Sequence, residues 1–277
     1  ANAIIDSYAA QGYDLTLRQL YYQFVSRALI PNRDSEYKRL GSIINDGRLA
    51  GLIDWSAIVD RGRNVAGGYG VDGEPGERMG TIVDWLTALD RWRGQAYRPE
   101  VWVEKDALSG VVGRVASEFD VPYLPCKGYM SQSEMWAAGR RLRQWRRKGF
   151  TPVVIHLGDH DPAGIDMSRD IEDRLSMFAE GPIEVRRIAL NMDQVEQYGP
   201  PPNPAKLTDS RVADYLARFG DESWELDALP PEVLAQLIRD ALEPLIDQEI
   251  LARVKEREEK SKAAVRAVAE NWDEVVT

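Results

Sequence analysis

The sequence predicts an α/β chain with a helical N-terminal domain, a parallel sheet flanked by helices, and a helical tail. Three observations predict it. From Pro99 onward, short apolar runs alternate with amphipathic stretches of helical period. The run Val153, Val154, Ile155 and Leu157 is β-branched and apolar, as in a strand buried on both faces, and it ends in GDHDPAG. Before residue 60, apolar side chains recur every three or four residues behind a capping Thr16 and a stop at Pro31.

Composition sets outer limits. A chain of 277 residues, 44% of them apolar, can bury one large or two ordinary cores. The net charge of −10 argues against a basic coat for nucleic acid, although a local basic patch can sit on an acidic protein. A single cysteine, Cys126, forbids an intrachain disulfide and suits a reducing, cytoplasmic setting. The first residues show no signal peptide, and no run approaches a membrane span. His156 and His160 with one cysteine do not make a structural zinc site.

The elements follow in order. Ile4, Ile5 and Tyr8 mark a first helix. Leu17, Leu20, Tyr21, Phe24 and Leu29 mark a second over residues 17–29, and a third starts near Asp34 with Lys38, Arg39 and Arg48 beside Leu40, Ile43 and Ile44. LIDWSAIVDRGR then reads as a strand-like run. Three helices followed by β structure suggest a winged helix-turn-helix, which lays a basic helix in a DNA groove. A plain three-helix bundle has the same periodicity. Residues 62–80 are glycine-rich and read as a linker. The domains expected are residues 1–95 and residues 96–277.

In the second domain EVWVE, VPYLP, residues 152–158 and IEVRRIAL are the strands, with helices between them. Ser131 and Glu134 have capping-box spacing before the second of these connecting helices, EMWAAGRRLRQWRRKG. GPPPNPAKLTDSR should be extended, and residues 232–272 helical, split or kinked at Pro244.

The carboxylates are the chemical signal. Asp159 and Asp161 lie two apart at the carboxyl end of a buried strand, and Glu104 ends another. In a parallel sheet those ends share one edge, where ligands bind, and three acids there can hold magnesium. The competing reading is that the Asp pair caps the next helix and shapes a turn.

A strand ending in Glu104 and a later Asp159-x-Asp161 end look like the Toprim domain of topoisomerases, primases and some nucleases. LTLRQLYYQF, VEKDALSGVV, KGYMS and GDHDPAGIDM narrow the likeness. Together they resemble the topoisomerase VI A subunit and its meiotic double-strand-break relatives, over about residues 15–190. Met130 stands where relatives often have proline, and the chain is shorter than a typical A subunit.

The resemblance implies a winged-helix domain followed by a Toprim (Rossmann-like) domain with a helical tail. It implies a DNA-cleaving transesterase with Tyr22 as nucleophile, Arg18 as its helper, and Mg2+ or Mn2+ held by Glu104, Asp159 and Asp161. Arg18 and Tyr22 are four apart and share a helix face, whereas Tyr21 points about 100° away. A core role for Tyr22 is the structural alternative. The implied partners are double-stranded DNA, a second copy with tyrosine and acids shared between subunits, and a separate GHKL-type ATPase subunit. Candidate DNA contacts are Lys38, Arg39, Arg61, Arg63, Lys105, Arg140, Arg143 and Arg147. The basic run around Arg140 equally suits a solvated helix face. A Toprim nuclease using water and a non-catalytic DNA-binding module are the competing functions.

Overall fold

In a computed structural model, residues 1–13, 15–59, 75–205 and 212–272 are described. Chain order begins with α1 (Asn2–Ala10), α2 (Leu17–Ser26), α3 (Asp34–Leu49) and α4 (Pro75–Thr87). It continues with β1 (Tyr97–Val103), α5 (Ser109–Glu118), β2 (Tyr123–Pro125), α6 (Gln132–Arg147), β3 (Thr151–Leu157), α7 (Pro162–Phe178) and β4 (Glu184–Ala189). It closes with α8 (Met192–Tyr198), β5 (Asn203–Pro204), α9 (Val212–Phe219), β6 (Glu222–Ser223), α10 (Pro231–Leu242) and α11 (Gln248–Glu270). No helix among the described residues is long and apolar enough to cross a membrane.

The architecture is α/β, built on a four-stranded parallel sheet of order β2-β1-β3-β4. β3 is buried from Pro152 to Leu157, as its apolar sequence requires. The core between sheet and helices gathers Trp102, Met135, Leu142, Val154, Ile171 and Leu175. Gly139 of α6 lets α7 approach, since a Cβ there would stand 2.4 Å from the Phe178 Cβ. Trp102 is fully buried and its indole N–H donates to Glu100 at 3.0 Å. Arg141 of α6 grips the same carboxylate through two bonds of 2.8 Å.

The N-terminal helices form as their sequence directs. Thr16 caps α2 in a full capping box with Gln19, and Leu20, Tyr21, Tyr22, Leu40 and Ile44 fill their core. α2 stops at Ser26, short of the expected Leu29, which is exposed. The strand-like run is corrected. Leu52–Val59 contains a 3-10 turn at Trp55–Ala57 rather than a strand, because Asp54 accepts from the Ser56 N–H at 2.7 Å and Arg48 binds the Trp55 and Ile58 carbonyls. The expected linker is shorter than residues 62–80, since α4 starts at Pro75, and residues 60–74 lie outside the described set.

The chain divides into two compact units. One comprises Ala1–Arg63 with Arg98–Glu243, and the other Asn64–Tyr97 with Pro244–Thr277. The first therefore holds both the N-terminal helices and the sheet. In the second, α4 packs along α11, where Lys262 pairs with the buried Glu258 at 3.1 Å. The expected split at Pro244 is present as a 3-10 turn, Glu243–Leu245, between α10 and α11. Of the proline-rich segment, Asn203–Pro204 is extended and pairs antiparallel with Glu222–Ser223, while residues 206–211 lie outside the described set.

Candidate functional site

The site lies on the carboxyl edge of the sheet, within the first unit. Glu104 follows β1 directly, and its Oε2 accepts the Asp159 N–H at 2.8 Å, which ties the ends of β1 and β3. Gly158 makes room for this contact, since a Cβ there would meet Glu104 at 3.0 Å and Arg187 at 3.1 Å. Arg187 of β4 runs beneath the turn and donates to the carbonyls of Gly158, Asp159, Gly164 and Leu190 at 2.6 to 3.0 Å. Burial draws this guanidinium down to about 10. Asp161 caps α7, accepting from the Gly164 N–H at 2.6 Å. The capping reading of Asp161 is thus realised, while both Asp159 and Asp161 also face a cavity.

A segment far along the chain completes this edge. His160 and Trp224 form a β-bridge, their backbones exchanging bonds of 2.8 and 2.9 Å. His160 is buried among Tyr215, Phe219 and Trp224, with Nδ1 2.8 Å from the Tyr215 hydroxyl. Burial, then Arg187, lowers its imidazole to about 4, so it serves as a neutral anchor. The bridge delivers Glu225, Leu226 and Asp227 to the acids, and the Leu226 N–H donates to Asp159 Oδ1 at 2.8 Å.

Asp159, Glu225 and Asp227 then present oxygens within 4.8 Å of one another. Lys105 turns inward onto all three, its Nζ at 2.9 Å from Asp159 and from Asp227 and in contact with Glu225. Burial alone would lower this ammonium, but Asp227, Asp159 and Glu225 outweigh it and hold it well above its ordinary value. Burial also raises the Asp159 carboxyl, with Lys105 opposing. For Glu104 the order is the same: burial raises it, and the Asp159 N–H opposes.

The tyrosine helix meets this cluster in the same chain. Arg18 of α2 donates to Asp227 at 3.0 Å and to Glu225 at 3.1 Å, and its guanidinium carbon lies 5.8 Å from the Tyr22 ring centroid. Tyr22, Arg18, Asp159, Asp161 and Glu225 line one cavity of about 340 Å³. Burial, then Glu225 and Asp227, hold the Tyr22 phenol above its ordinary 10, with Arg18 and Lys105 opposing. Tyr21 lines the same cavity, but its hydroxyl is engaged: it donates to Asn32 at 2.9 Å and accepts from the Arg33 N–H at 2.7 Å.

Sequence reasoning set Arg18 beside Tyr22, set Glu104 beside Asp159 and Asp161, and had the tyrosine meet the acids of a second copy; here Arg18 and Tyr22 share a cavity with Asp159 and Asp161 of the same chain, and the carboxylates close enough to hold one ion are Asp159, Glu225 and Asp227, without Glu104 or Asp161. It did not find Glu225 and Asp227, although the WELDAL stretch was a visible signal. The expected DNA contacts scatter. Lys38 and Arg39 are exposed on α3, where Arg39 pairs with Glu36 at 2.7 Å. Arg143 pairs with Glu180, Arg140 stacks 4.7 Å over Trp136, and Arg147 is exposed. Arg61 and Arg63 lie outside the described residues.

The donor set suits a hard divalent cation. Its atoms are carboxylate oxygens, and a cation, the Lys105 ammonium, already sits among them. Around them, five carboxyl groups (Glu104, Asp159, Asp161, Glu225, Asp227) meet three basic side chains (Arg18, Lys105, Arg187). Compared with protein-family models, curated proteins and solved structures, the chain has no significant match.

Proposed function

We propose that the protein is a DNA-cleaving transesterase of the topoisomerase VI A-subunit kind, with Tyr22 as nucleophile on a winged-helix domain and the acids on a Toprim domain. The observation that carries this reading is the single cavity shared by Tyr22, Arg18, Asp159 and Asp161. The phenol oxygen attacks a DNA phosphorus, and the bond to a deoxyribose oxygen breaks. The phenol proton is lost, the departing oxygen takes one up, and a phosphotyrosyl ester replaces the phosphodiester. Arg18 serves this step by holding positive charge beside the phenol and the phosphate.

Asp159, Glu225 and Asp227, backed by Glu104 and Asp161, would hold Mg2+ or Mn2+, which neutralises phosphate charge when bound. Cutting both strands requires two copies on a two-fold axis, and the family likeness suggests a GHKL-type ATPase as partner. On this reading the protein would work on DNA in the cytoplasm, at the nucleoid. The test is a labelled duplex incubated with Mg2+ or Mn2+, quenched in denaturant and resolved for protein-linked DNA. Wild type should give the adduct and Tyr22→Phe none.

One observation favours a second reading. A phenol is already protonated at neutral pH, and burial with Glu225 and Asp227 makes the Tyr22 phenol harder still to ionise. A Toprim nuclease that hydrolyses DNA with water needs no phenolate, and it would leave Tyr22→Phe fully active without any adduct.

A further inference from the structure

Lys105 Nζ makes three contacts, and all three are to acids of the candidate cation site. An ammonium and a divalent ion compete for the same atoms. The ammonium rests at about 2.7–2.9 Å from carboxylate oxygens, and magnesium at about 2.0–2.1 Å. Both centres would lie on the same three oxygens and repel at close range, so they exclude one another. Lys105 stands two residues beyond the end of β1, on a flexible four-carbon stem. Its side chain is 15% exposed, so it has a way out to solvent.

We propose that Lys105 is an intramolecular competitor of the divalent cation, holding Asp159, Glu225 and Asp227 together until the ion displaces it. This rests on the reading above that the acid edge takes such an ion. Arg18 shares Glu225 and Asp227 with Lys105. Uptake of the ion therefore weakens both Arg18 ion pairs and frees that guanidinium for phosphate beside Tyr22. Metal arrival and release of the Arg18 guanidinium become one event.

The experiment titrates the full chain with Mn2+ and follows the free ion by its electron paramagnetic resonance signal. Lys105→Met should bind Mn2+ on the order of tenfold more tightly than wild type, because one close positive charge is gone. Lys105→Arg, which keeps the charge, should not. A second measurement needs no variant: an amine-reactive reagent read by mass spectrometry should label Lys105 more in wild type when Mn2+ is added. Binding of Mn2+ with equal affinity by wild type and Lys105→Met, or unchanged Lys105 labelling at saturating Mn2+, overturns the competition and leaves the metal reading standing. No Mn2+ binding by either protein overturns both.

Discussion

Arg18 and Asp227 are 209 residues apart in the chain, and the guanidinium Nε of one donates to the carboxylate of the other at 3.0 Å. The Asp227 side chain is fully buried and also receives Lys105, whereas Arg18 is 46% exposed. Removing the two partners should therefore cost different amounts. Asp227→Ala leaves Lys105 under-compensated in a buried place and should lose about 3 kcal/mol. Arg18→Ala, screened by solvent, should lose about 1 kcal/mol or less. Urea unfolding of both variants measures this, and equal losses would show that burial of the carboxylate does not matter.

The neighbouring tyrosines should separate function from stability. Tyr21→Phe removes the hydroxyl that serves Asn32 and the Arg33 N–H, so it should cost about 1–3 kcal/mol while keeping any covalent DNA adduct. Tyr22→Phe should abolish the adduct and change stability little, since the ring remains in its packing. An adduct that survives in Tyr22→Phe would remove Tyr22 as nucleophile.

His156 should make stability depend on pH. It is fully buried in β3, its Nδ1 lies 2.8 Å from the Ser168 hydroxyl, and its Nε2 has no hydrogen-bond partner. Burial, then Arg187, lowers the imidazole to about 3 from the ordinary 6.5. The unfolded chain takes up a proton below about 6.5 and the folded chain does not, so protonation favours unfolding. Stability is full above about 6.5 and falls with pH by up to ~1.4 kcal/mol per unit until about 3. Denaturant midpoints for wild type and His156→Gln at pH 7, 6 and 5 should show a shallower slope in the variant. Parallel slopes would mean that His156 takes up its proton as readily in the folded chain as in the unfolded one.

Gly139 gives a packing test. A methyl group there would stand 2.4 Å from the Phe178 Cβ and 3.1 Å from its backbone carbon, neither of which is a flexible chain end. Gly139→Ala should cost about 1–3 kcal/mol by forcing α6 away from α7, despite the better helix propensity of alanine. Thermal unfolding at or above the wild-type midpoint would show that the crossing adjusts freely.

Local chemistry made much of this legible. Thr16 caps α2 as expected, with Gln19 completing the box, and Ser131 with Glu134 forms the capping box that its spacing announces. The apolar run of β3 and the stop at Pro244 read correctly because they depend on near neighbours. Leu52–Val59 read wrongly because side-chain bonds from Asp54 and Arg48 favour a turn over the β propensity of the run. Glu225 and Asp227 join the acids through the His160–Trp224 bridge and the Leu226 N–H to Asp159, and no periodicity encodes contacts across that distance. The pairing of α4 with α11 is hidden for the same reason. Of the basic run on α6, Arg141 pairs with Glu100, Arg143 pairs with Glu180 and Arg140 stacks on Trp136, while Arg147 is exposed.

The late position of Glu225 and Asp227 has a consequence for synthesis. When a ribosome has released residues 1–200, the α2 arginine, Lys105 and the Asp159 turn are all outside, but the carboxylates that join them are not. Closing so long a loop costs entropy before any contact repays it, so this edge should be the last part of its unit to set. Chains stalled at residue 200 should be cut by protease within α2, and chains stalled well past residue 243 should resist. Protection of α2 in the shorter chains would show that the N-terminal helices stand without the acids, and that Arg18 and Tyr22 are set in place before Glu225 and Asp227 reach them.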